Sequence, residues 1–167
     1  MTFTKSYQYI KLCEELGEDN IYFMTDFESG GFDLYCGEKI LFMDEFKGNM
    51  SFQKLLTYTE GYRVQIHCRY TNAYALWSEV HITSIYPPEE VYALMVELGN
   101  RDRDRFQLLL RRITKVIYHY KLNHEYKTYE LPSNEYVNYT DLKDKALRNQ
   151  DNFMQISLYD NDIPFTD

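Results

Sequence analysis

KILFMDEF, residues 39–46, reads as an apolar strand that ends on two adjacent carboxylates, Asp44 and Glu45. The C-terminal ends of strands are where an open α/β sheet presents its ligand crevice. A carboxylate at that position can hold a hydrated Mg2+ through its water shell, and a second one beside it can orient or deprotonate an attacking water in phosphoryl transfer. The plainer reading of the same residues is a buried strand running into a solvated turn.

Outward from this stretch, helix and strand patterns alternate. Residues 6–16 predict a helix with Tyr9, Cys13 and Leu16 on one face and Gly17 as its stop. NIYFMT (20–25) predicts a strand, and Ser29-Gly30-Gly31 marks a loop. Downstream, SFQKLLTYTEGY (51–62) predicts a short amphipathic helix with Ser51 as N-cap and Gly61 as stop. Over 62–70, Val64, Ile66 and Cys68 alternate with Arg63, Gln65, His67 and Arg69, the pattern of a half-exposed strand. Another strand is expected over 76–84. Pro87-Pro88 then starts a helix through Glu97 that Gly99 ends, with Glu89 and Glu90 on its positive pole. A helix from about Arg103 to Arg112 leads into KVIYHY (115–120), whose apolar run suits a buried strand. After Lys121 the chain is rich in Tyr, Asn and Asp and loses periodicity, apart from a short helix near Thr140 to Arg148. Residues 122–167 are expected to form a loosely ordered tail, and residues 1–121 the domain.

The order of these features resembles the ATPase domain of the rolling-circle replication initiators of circular single-stranded DNA viruses and related plasmids, a superfamily-three helicase. In that family the acidic strand end is the Walker B motif, matched by Ile40 to Phe46, and a short helix follows, matched by 51–62. A polar-alternating hairpin comes next, matched by YRVQIHCRYTNAYALW (62–77). Motif C is a strand closing in a polar triplet before a proline pair, here EVHITSIYPPEEVY (79–92), and an arginine pair precedes a last apolar strand, here LLLRRITKVIYHY (108–120). The resemblance covers residues from about 5 to 121.

It implies an α/β, P-loop NTPase-like, mainly parallel sheet flanked by helices, with ATP and Mg2+ as cofactors. Asp44 would hold the Mg2+ shell, Glu45 would activate water, and Thr83 and Ser84 would sense the γ-phosphate. Lys5 and Ser6 fall where the family's phosphate loop ends. The implied activity is ATP hydrolysis coupled to movement on single-stranded DNA, or RNA, in a homo-oligomeric ring during rolling-circle replication, in a bacterial cytoplasm or a host-cell nucleus.

Two departures qualify the match. No GxxxxGK[ST] loop occurs in the sequence, so the glycine arch that wraps the β-phosphate and the strand feeding it are missing. The chain is therefore expected to lack the first strand of the fold, with the missing part supplied in trans or lost. Ile85 also stands where motif C has an Asn, and isoleucine has no donor or acceptor to offer a phosphate. A non-catalytic nucleic-acid-binding or oligomerisation module is the alternative to a working ATPase.

Composition bounds the rest. At 167 residues the chain suits one domain. No apolar run is long enough to span a membrane, and the first residues lack the apolar core of a secretory signal. Cys13, Cys36 and Cys68, widely spaced and odd in number, argue against a disulfide framework or a zinc cage and suit buried apolar positions. Net charge is −8, which disfavours a dedicated nucleic-acid binder, although basic residues gather between Arg101 and Lys121. Arg111 and Arg112 have two readings: an arginine finger on a neighbouring subunit's nucleotide, or a cap on the negative pole of their own helix. Arg63, His67 and Arg69 either contact nucleic-acid phosphates or form a solvated sheet face. The four histidines show no metal-ligand spacing and suit structural roles.

Overall fold

The structure is a computed structural model that describes residues 3–27, 31–68 and 72–159, with side chains from residue 8 to residue 149 within those ranges. In chain order the helices are α1 (Phe3–Leu16), α2 (Phe52–Tyr58), α3 (Pro88–Met95), α4 (Gln107–Leu110) and α5 (Tyr139–Tyr159). The strands are β1 (Ile21–Met24), β2 (Ile40–Met43), β3 (Gln65–His67), β4 (Asn72–Tyr74), β5 (Glu79–Ile82), β6 (Lys115–Leu122) and β7 (Glu125–Pro132). The chain divides into two compact units, Met1–Arg112 and Ile113–Asp167.

The first unit is mixed α/β, built on a parallel three-stranded sheet of order β1-β2-β5. Its middle strand, β2, is buried at every residue, as an apolar run with strands on both sides and cover on both faces requires. The register aligns Phe23, Phe42 and His81 across the three strands. On that face Phe23 stacks on Phe42 at 5.6 Å, and His81 lies over Phe42 at 6.1 Å. Helix α1 covers it: Tyr9 sets its ring against Phe23 at 4.7 Å and Phe42 at 5.3 Å, and Leu12 joins Ile21, Ile40 and Phe42 in one apolar cluster. The opposite face, where side chains alternate to Tyr22, Leu41 and Met43, meets a second aromatic group. There Phe32 stacks on Trp77 at 5.3 Å, with Tyr22, Tyr35 and Tyr58 around it, so α2 and the 31–38 segment close that side.

The helix ends agree with their sequence signals. Ser51 caps α2 by accepting from Lys54 N at 3.3 Å. Gly17, at φ +84, ends α1 with its N–H on Cys13 O at 2.9 Å. Pro87-Pro88 opens α3, which stops at Met95 rather than Glu97 because Val96 turns extended. The half-exposed strand expected over 62–70 is the short β3, paired antiparallel with β4. Cys68 is buried as expected; Cys36 is exposed instead.

The C-terminal third differs from the sequence reading. KVIYHY does not extend the parallel sheet: it lies in β6, which pairs with β7 over its full length from Lys115↔Pro132 to Leu122↔Glu125. The residues after Lys121 carry that strand and α5, not a loose tail, and the unit boundary falls at Arg112 rather than Lys121. The physical reason is a two-residue connection, Asn123-His124, with φ of +48 and +69. A pair of left-handed residues turns the chain straight back on itself, so β6 satisfies its backbone groups locally. Tyr139 of α5 packs on Tyr118 at 5.6 Å, and Leu131, Tyr136, Leu142 and Ala146 form the buried centre of this unit.

Candidate functional site

The C-terminal ends of β2 and β5 lie side by side, because the parallel register pairs Met43 with Ile82 and carries Asp44 and Thr83 to one rim. Thr83 N donates to Met43 O at 2.9 Å, and Thr83 O accepts from Phe46 N at 2.8 Å. The Thr83 hydroxyl accepts from Glu45 N at 3.0 Å and donates to Asp44 Oδ1 at 2.6 Å. Asp44 N in turn bonds Met24 O of β1 at 3.0 Å. Between these contacts Glu45 takes a left-handed backbone with φ +52, and Phe46 returns to the core against Phe27 at 5.1 Å. Asp44 is half-buried and Glu45 exposed. Two carboxylates thus stand at a strand rim on a backbone held by its neighbour strand.

Helix α1 runs antiparallel to the strands, since only Gly17 to Asn20 separate its C-terminus from β1. Its N-terminal turns, with Lys5 and Ser6, therefore point towards the rim that carries Asp44 and Thr83. Lys5 and Ser6 belong to the helix itself rather than to a loop ahead of it, and their side chains lie outside the described residues. Ser84 uses its hydroxyl in a turn, accepting from Tyr86 N at 3.0 Å. Ile85 beside it is 58% exposed, an apolar side chain at a polar rim.

The two arginines separate. Arg112 is turned inward: it forms an ion pair with Glu60 and donates from Nη1 to Leu108 O at 2.5 Å, while its Nε is buried without a partner. Burial pushes its pKa down from the ordinary arginine value. This is the helix-capping reading, with an acid from the end of α2 added. Arg111 is exposed. The sequence gives no spacing signal for the Glu60 contact, since the partners are 52 positions apart.

On the β3–β4 hairpin, Arg63 lays its guanidinium over the Tyr74 ring at 3.8 Å, and His67 Nδ1 is 3.1 Å from Asn72 Oδ1. Both basic groups lie on the exposed side of the hairpin, opposite buried Ile66; Arg69 lies outside the described residues. His81 pairs with Glu79 Oε1 at 2.8 Å, a structural role.

Among the described residues no group of three or more His, Cys, Asp or Glu side chains gathers to hold a metal. The donor set at the rim, one carboxylate steadied by a hydroxyl, suits a Mg2+ that keeps most of its waters. Nothing in the sequence supplies the glycine-rich wrap for a β-phosphate, so the residues fit the metal side of such a site and not the phosphate side. Among the described residues no helix is long and apolar enough to cross a membrane. No known protein-family model matches this sequence, and no curated protein matches it.

Proposed function

We propose that the first unit is the ATPase portion of a replication-associated helicase, coupling ATP hydrolysis to movement on single-stranded nucleic acid. The observation that carries this reading is the bond from Thr83 to Asp44 across adjacent parallel strand tips. It is supported by the strand order β1-β2-β5, in which the acidic strand is central and, among the described residues, the motif C strand ends the order. Asp44 would hold the water shell of the metal and Glu45 would accept the proton of the attacking water. Mg2+, when bound with the nucleotide, neutralises charge on the phosphate oxygens. Exposed Arg111, not Arg112, is the candidate for reaching a neighbouring nucleotide. Arg63, held flat on Tyr74, and His67 would meet the strand's phosphates from the hairpin.

A second reading, a non-catalytic binding or assembly module, draws on the exposed Ile85 and on the inward commitment of Arg112. Steady-state ATPase measurements on the chain and on Glu45→Gln separate the two. The enzyme reading expects Mg2+-dependent turnover that falls by about 100-fold or more on removing the general base. Turnover that is absent, or indifferent to Glu45→Gln, leaves the module.

A further inference from the structure

We infer that Thr83 is the positioning residue of the acid pair rather than a sensor of phosphate. Four hydrogen bonds tie this one residue to the segment 43–46, and two of them use its hydroxyl. A hydroxyl has one proton to give. Here Glu45 N–H donates to the oxygen at 3.0 Å, which leaves that proton to go to Asp44 Oδ1 at 2.6 Å, the short distance of a charge-assisted bond. The same proton is then not offered to a γ-phosphate. The chain of donors from amide to hydroxyl to carboxylate also polarises in one direction, so each bond strengthens the next.

The clamp also reaches the backbone of Glu45. Its left-handed backbone, φ +52, is a conformation that L side chains rarely adopt, and it persists only where neighbours hold it. Both amides that flank the bend, Glu45 N–H and Phe46 N–H, are held by Thr83, one through the hydroxyl and one through the carbonyl. Thr83 therefore sets the rotamer of Asp44 and the direction in which residue 45 leaves the strand. The hydroxyl thus clamps one carboxylate oxygen of Asp44, Oδ1, at the rim. A serine would keep this arrangement, and a valine of the same shape would remove it.

The catalytic meaning of this role rests on the nucleotide reading above; the clamp itself does not. The test uses the full chain with Thr83→Val, Thr83→Ser and, as a second hydroxyl deletion, Thr83→Ala. Amide hydrogen exchange by NMR reads the clamp without any ligand. In Thr83→Val and Thr83→Ala the Glu45 amide should exchange roughly fivefold faster, the effect of one lost hydrogen bond. The Phe46 amide and the ladder amides of Leu41 and Phe42 should hold, and Thr83→Ser should match the wild type. Titrating Mg2+ against a fluorescent ATP analogue reads the metal arm. There both deletions should need several-fold more Mg2+ for half-maximal binding, with no change in EDTA.

An unchanged Glu45 amide, failure of serine to restore it, or a Mg2+ requirement equal to that of the wild type each overturns the inference. A wild-type chain that binds no nucleotide in Mg2+, with the exchange result intact, overturns instead the nucleotide reading and the metal-positioning role with it.

Discussion

At Arg112 a guanidinium is taken out of water and answered by Glu60, with side chains 9% and 23% exposed. Desolvating the pair is costly, so its net contribution is small, but deleting one partner strands the other. Arg112→Ala should therefore lower the unfolding free energy by about 3 kcal/mol, the lower end for a buried pair, in urea melts followed by circular dichroism. The double change Arg112→Met with Glu60→Gln should recover most of it. His119 in β6 is a second group held away from its ordinary state: burial pushes its pKa down from 6.5, while nearby Glu130 pulls weakly the other way. Its folded pKa lies below the unfolded one, so above about pH 6.5 both states are neutral and nothing is lost. As pH falls through that value the unfolded chain takes up the proton first and the fold weakens. Melts at pH 7.5 and 5.5 should show a smaller acid loss in His119→Gln than in the wild type; equal losses would assign the acid sensitivity elsewhere.

Turn chemistry decides more at the level of elements than apolar patterning does. Asn123-His124 closes the β6–β7 hairpin with two positive φ angles, a geometry that an Asn-Gly pair adopts without steric cost. His124→Gly should stabilise the chain by up to about 1 kcal/mol, less whatever the added freedom of the unfolded chain takes back, and a raised melting temperature checks it. Because histidine is a poor signal for that turn, the hairpin was not legible and the residues after Lys121 read as unstructured. Where the signal is strong the elements were legible: Ser51 caps α2, Gly17 ends α1, and Ile40–Met43 is a buried strand. The resemblance gives Asp44 and Thr83 roles on the same nucleotide, and the register of β2 and β5 is what brings them together. The donation of the Thr83 hydroxyl to Asp44 and the left-handed Glu45 could not be read, since both depend on how two strand tips lock after the sheet has formed.

For the whole molecule the expectation of one domain gave way to two units, because β6 found a partner next to it in sequence rather than in the parallel sheet. A net charge of −8 opposes any polyanion at a distance, so nucleic acid would have to be held by a few local contacts such as Arg63 on its tyrosine ring. Binding of that kind has a recognisable salt dependence. Each phosphate contact to a single strand contributes a slope of roughly −0.7 in log affinity against log salt, so two or three contacts give roughly −1.5 to −2, far shallower than a basic groove. Fluorescence anisotropy with a labelled single-stranded oligonucleotide across a salt series should return a slope in that range, and Arg63→Ala should make it shallower by about 0.7. A slope indifferent to Arg63→Ala would remove the hairpin from the interface, and no binding at low salt would remove the nucleic-acid partner altogether. Low salt is the strict condition, because there the few favourable contacts are screened least and the molecule's own negative field opposes them most.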